Sequence, residues 1–133
     1  MALLNSAIAG SVSISLSAAV LSDTVHKVMI SEVAHLAGRD RAGLVGYLNK
    51  HPEIITRLVE YPQALERLAA VPMNLLPVDE PLLRSATQIA VAHGLLTNDA
   101  LIVAQMLRHR LVDLVTNDDD FDRVPGVKSW KPR

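Results

Sequence analysis

Three aspartates, Asp23, Asp99 and Asp118, are the residues of this chain whose type and placement point to chemistry. Asp118 closely follows a short apolar run at 111–115 (LVDLV) that reads as a buried strand. That places it at a strand's carboxyl end, the edge where open α/β sheets bind ligands. Asp99, beside Asn98, falls in the first turn of an apolar helical stretch, and Asp23 in the second turn of a helix that follows a Ser/Val strand. Carboxylates converging on one edge repel unless a cation holds them. A hard, oxygen-ligated ion such as Mg²⁺ or Mn²⁺ meets that need, because it accepts a few carboxylates and keeps waters for a phosphate or a nucleophile. Each residue also has a plainer reading. Asp99 caps a helix and answers its dipole; Asp118, within Thr-Asn-Asp-Asp-Asp, is an ordinary turn residue; Asp23 is a solvated position on an amphipathic helix. Spacing alone leaves both readings open.

Other chemistries find less support. The five histidines (His26, His35, His51, His93, His109) show no metal-ligand spacing and read as surface or interface residues. Without cysteine there is no thiolate metal site, disulfide or redox couple. No glycine-rich phosphate loop, dinucleotide fingerprint or nucleophile elbow occurs. Among the few aromatic residues, Phe121 and Trp130 read as packing residues rather than a base-stacking platform.

The elements that must position the aspartates alternate in type. Residues 2–9 suit a short helix ended by Gly10. Over 11–17 serines alternate with Val12, Ile14 and Leu16, the period of a strand. Ser17 is placed to cap a helix over 18–37, in which Leu21, Val25, Val28, Met29, Val33 and Leu36 form an apolar stripe up to Gly38. Helices are expected over about 41–50 and 63–70, with Pro52 and Pro62 bracketing the segment between. Leu75, Leu76 and Val78 suit a short strand, and Pro81 precedes a helix over 82–93 that Gly94 ends. After the helix opened by Asn98 and Asp99 come the strand at 111–115, a turn at 116–120 and a last strand around 127–130. Short strands joined to helices by brief turns predict an α/β layered fold with a small, mostly parallel sheet flanked by helices.

With 133 residues the chain reads as one domain, 1–133. Thirteen basic and fourteen acidic side chains nearly cancel. This counts against sequence-independent coating of nucleic acid, yet leaves room for a nuclease whose metal supplies positive charge locally. The first 22 residues carry no charge, but serines interrupt them throughout and no positive start precedes them. A signal peptide or membrane segment is therefore not expected, and a cytoplasmic location is.

The run Asn98-Asp99-Ala100-Leu101-Ile102-Val103-Ala104, then Thr116-Asn117-Asp118-Asp119-Asp120-Phe121, then Val124-Pro125-Gly126-Val127, resembles the C-terminal half of PIN domains. It is most similar to the VapC-like toxins of type II toxin–antitoxin pairs. Upstream, Ser17 to His26 resembles the family's strand–helix junction, with Asp23 where glutamate is usual. The resemblance is weak over 38–92. It implies a three-layer PIN-like α/β fold and a Mg²⁺- or Mn²⁺-dependent endoribonuclease. Asp99 and Asp118 would hold the metal, Asp23 would complete the site or position water, and Thr116 and Asp120 would orient the cluster. Arg123 and Lys128, with Lys131 and Arg133, are candidate RNA contacts, against the alternative of a solvated tail. The implied partners are an RNA substrate, a cognate antitoxin and a second copy in a homodimer, with the helices over 18–37 and 41–70 as docking faces and no membrane.

One departure stands out. The family's first, central strand ends in an aspartate, and no acidic residue precedes Asp23 here. Residues 1–10 resemble the helix that usually follows that strand. The expectation is an N-terminally truncated PIN domain whose true start lies upstream, or a degenerate copy. A catalytically impaired PIN-fold protein acting as a partner-binding or regulatory module is therefore the rival reading.

Overall fold

Helix α1 (Ala2–Ile8) opens the chain, and Gly10 leaves it in the left-handed region at φ 74°. The computed structural model describes residues 2–132, and the chain divides into two units, Met1–Leu75 and Leu76–Arg133. In the first unit the serine-alternating stretch yields a strand only over its last residues, β1 (Ser15–Ser17). Its partner is β2 (Asn74–Leu76), where the Asn74 N–H donates to the Ile14 carbonyl at 2.8 Å. The expected strand over 11–17 is shorter because so brief a partner satisfies the backbone of only a few residues.

Ser17 caps α2 (Ala18–Ala37) as expected, accepting from the Ala19 N–H at 3.3 Å, and Gly38 closes the helix at φ 59°. The α2 stripe is buried unevenly. Val33 is fully enclosed, whereas Leu36 is 59% exposed, a correction to its expected core role. The core of this unit joins Val33 to Leu44, Leu48 and Leu58, with Met29, Ile30, Tyr47, Ile54 and Tyr61 packed around them. Helix α3 (Leu44–Lys50) begins later than the pattern suggested, because Gly43 takes the left-handed conformation at φ 72° and interrupts helical winding. A 3₁₀ turn follows (Pro52–Arg57), then α4 (Glu60–Ala69), whose Pro62 lies in the first turn, where its missing N–H costs nothing. Val59 stands before α4 and has no side chain that can cap it. Glu32 of α2 does so instead, accepting from the N–H groups of Val59, Glu60 and Tyr61 at 2.7, 3.1 and 2.8 Å.

The second unit is built on two helices, α5 (Glu80–His93) and α6 (Thr97–Arg108), whose axes turn through 112° at Gly94 and the residues after it. Asp79 fastens both ends of the pair. One carboxylate oxygen accepts from the Leu82 N–H at 2.9 Å, capping α5, and the two together take the Arg108 guanidinium at 2.6 and 3.0 Å. Ala100, Leu101, Val103, Ala104 and Met106 of α6 are buried, as are Leu82 and Ala86 of α5. Gln105, 1% exposed, donates its amide to the carbonyls of Leu76 and Pro77. Beyond α6, β3 (Asp113–Val115) pairs in parallel with β4 (Lys128–Trp130), with a 3₁₀ turn (Asp120–Arg123) between them.

The layered α/β class therefore holds, helix-rich and with small strand pairs among helices. The LVDLV run departs from expectation. Only its last three residues are strand, and Leu111, Val112 and Val115 are exposed, since a two-stranded ribbon covers few side chains. Among the described residues no single helix is long and apolar enough to cross a membrane.

Candidate metal centre

The apolar stripe of α6 fixes the helix's rotation and thereby brings Asp99, in its first turn, to a half-buried position. The α6 N-cap, Leu96, makes no side-chain cap. β3 delivers the second carboxylate. At its end Thr116 turns the chain: its hydroxyl accepts from the Asp118 N–H at 3.0 Å. Asp118 Oδ1 then accepts from the Asp120 N–H at 2.8 Å. These two side-chain turns fold Asp120 back beside Asp118. Asp99, Asp118 and Asp120 each offer an oxygen, and the three oxygens lie within 4.8 Å of one another.

The electrostatics agree with the crowding. Burial pushes the Asp99 carboxyl above its ordinary value, and the negative charges of Asp118 and Asp120 push it further. No cation contributes to that shift. Such a group gains from a divalent ion, whose charge reverses the local balance. The donor set fits one: all oxygen, all carboxylate. Ligand distances of about 2.1 Å for Mg²⁺ span up to about 4.2 Å across the ion, close to the 4.8 Å within which the three oxygens lie.

The neighbouring charges are already engaged. Arg123 pairs with Asp120 and donates to the Gly94 carbonyl at 2.8 Å. Lys131 pairs with Asp119, which lowers the Asp119 pKa by hydrogen bonding and charge and raises that of Lys131. The Lys128 ammonium sits 4.3 Å from the centroid of the Trp130 ring. Arg133 lies outside the described residues. Asp23, in the first unit, is exposed on α2 and pairs with Lys27 at 2.7 Å.

The plainer readings fare unevenly. Asp118 is a turn residue and a member of the cluster at once, whereas Asp99 occupies the first helical turn without capping. Asp120, expected to orient the cluster, offers an oxygen to it directly. An Asp-x-Asp pair after a strand was the available signal. Phe121 is buried as expected, but Trp130 is 49% exposed and is corrected from packing residue to surface aromatic. Among the histidines, His26, His35 and His109 are exposed and His51 and His93 half-buried.

Fold and cluster together give an α/β protein with three carboxylates gathered at the carboxyl end of a parallel strand, a donor set that suits a divalent cation. Residues 6–127, most of the chain, match the PIN domain family, and the chain belongs to it. PIN domains are typically metal-dependent nucleases, acting in general on RNA. Searches of curated proteins and of solved structures return no match.

Proposed function

We propose that this chain is a Mg²⁺- or Mn²⁺-dependent endoribonuclease of the VapC-like toxin type, hydrolysing RNA phosphodiester bonds. The observation that carries the reading is the meeting of Asp99, Asp118 and Asp120 oxygens within 4.8 Å at a strand's carboxyl end. When bound there, the ion supplies Lewis-acid polarisation of the scissile phosphodiester and activation of water for its hydrolysis. Asp99 and Asp118 hold the metal with Asp120 beside them, and Thr116 keeps the turn that aims Asp118. Asp23 completes the site or positions water, a role that rests on its place in the family pattern. Arg123 and Lys128 contact substrate phosphates after leaving their present partners.

In this role the protein works in the cytoplasm, as a homodimer held inactive by a cognate antitoxin. Exposed apolar side chains on the helical segments expected to dock support that part: Leu36, Val45, Ile55, Val59 and Leu65. The engagement of Asp23 by Lys27 favours a second reading, a catalytically impaired PIN-fold protein that serves as a binding module.

Cleavage of a fluorescent single-stranded RNA separates them. The nuclease requires Mg²⁺ or Mn²⁺, stops in EDTA, and loses at least ~100-fold in rate in Asp99→Asn or Asp118→Asn, because outer-sphere partners of a metal alone cost 10–100-fold. In a parallel thermal melt, Mn²⁺ raises Tm for the native chain and not for either variant. No cleavage, with a Tm indifferent to Mn²⁺, leaves only the binding module.

A further inference from the structure

The parallel register pairs Asp113 with Lys128 and Val115 with Trp130, so these four side chains share one face of the β3–β4 ribbon. Leu114 and Ser129 take the other, half-buried face. The shared face is open: Val115 is 46% and Trp130 49% exposed. The indole is nevertheless held in place. Its Nε1–H donates to Asp113 Oδ1 at 2.8 Å, and the Lys128 ammonium lies over the ring. A large aromatic left in water yet fixed at edge and face is preorganised for a flat partner.

The chain continues from this face into the carboxylate cluster. Val115 precedes Thr116, whose N–H donates to the Trp130 carbonyl at 2.9 Å and whose hydroxyl sets the Asp118 turn. On the other strand Lys131 follows Trp130 and pairs with Asp119, the residue next to Asp118 in the turn. An aromatic platform, flanked by two lysines and joined by backbone to Asp118 and Asp120 of the cluster, suits a nucleotide. The ring takes a base, the ammonium groups take phosphate, and the acidic cluster takes the scissile bond.

We propose that Trp130 is a base-stacking subsite for single-stranded RNA, holding a nucleotide next to the scissile phosphate, with Lys128 moving from the ring to the nucleotide's phosphate. This inference rests on the nuclease reading. Stacking on a π-face accepts every base, so the subsite gives affinity and placement with little sequence preference.

The chain contains a single tryptophan, so fluorescence excited at wavelengths beyond tyrosine absorption reports Trp130 alone. In EDTA, where nothing is cut, a short single-stranded oligoribonucleotide should quench that fluorescence saturably, and an oligonucleotide of equal charge carrying abasic sites should not. Trp130→Ala should raise the KM for cleavage in Mn²⁺ by roughly 5- to 100-fold with kcat nearly unchanged. Trp130→Phe should restore much of the loss, and Mn²⁺ should raise the Tm of both variants as in the native chain. Equal quenching by the abasic oligonucleotide, or none by either, overturns the subsite. So does quenching that follows protein concentration alone, which would show a second copy covering the face. Base-dependent quenching without any Mn²⁺-dependent cleavage instead sinks the nuclease reading while keeping the stack.

Discussion

The fold resists ionisation of Asp99, because burial and then two neighbouring carboxylates raise its pKa. A raised folded pKa means stability that is fully present below the unfolded value and lost as pH rises through the folded one. Metal-free protein therefore carries the cost at neutral pH. Asp99→Asn should melt at a higher temperature than the native chain at pH 7 in EDTA, and the gap should close as pH falls below the carboxylate range. In Mn²⁺ the order should reverse. A variant that melts lower than the native chain in EDTA at neutral pH would show that the cluster is not repulsive. Residue type and place beside a strand or helix end singled out Asp99 and Asp118, whose oxygens the fold gathers, and equally Asp23, which pairs with Lys27. The direct position of Asp120 was hidden, since it depends on the Asp118 carboxylate taking the Asp120 N–H. A sequence does not reveal whether such a turn closes. The exposure of Trp130 was hidden for a similar reason, because it follows from how little a three-residue strand pair covers.

At the scale of elements, glycines and serines marked helix ends well. Ser17, Gly38 and Gly94 lie where α2 and α5 start or stop. What local pattern could not show was support arriving from far along the chain. Glu32 caps α4 from α2, across more than twenty-five positions of sequence. Burial acts to raise its pKa, but the three N–H donors outweigh this and hold it below the usual value. Its contribution is then present above the unfolded pKa and lost as pH falls through the folded one. Glu32→Ala should cost ~1–2 kcal/mol in urea unfolding at pH 7, the scale of a lost helix cap, with less difference in acid. Gly94 holds φ 66° and its carbonyl receives Arg123, which in turn pairs with Asp120. Gly94→Ala should lose ~1–2 kcal/mol from the left-handed conformation alone. The added methyl would meet Arg123 Nη1 at an ordinary 3.9 Å, so the loss should appear in stability rather than in metal affinity. Metal affinity falling together with stability would show that the loop also positions Asp120.

For the molecule as a whole, a net charge of −1 and the pairing of most cations near the cluster set how it meets RNA. About two phosphate neutralisations, by Lys128 and one further released cation, give a slope of log K against log salt near −1.4 on single strands. Fluorescence anisotropy over a salt series in EDTA would measure it, and a slope several times steeper would reveal basic surface beyond these residues. The overall α/β class was legible because alternation and helical stripes differ in period. The division into strand pairs was not, since pairing joins segments whose separation the pattern leaves free. Asp79 shows what such remote joining does under acid. Arg108 first, and the Leu82 N–H after it, hold its pKa below the ordinary value, so its support fades only as pH drops through that lowered point. When the proton does arrive, the N-terminus of α5 and the C-terminus of α6 lose their fastening in the same event. Acid should then fray both helix ends in concert, and amide protons at the two places should begin to exchange at one shared pH.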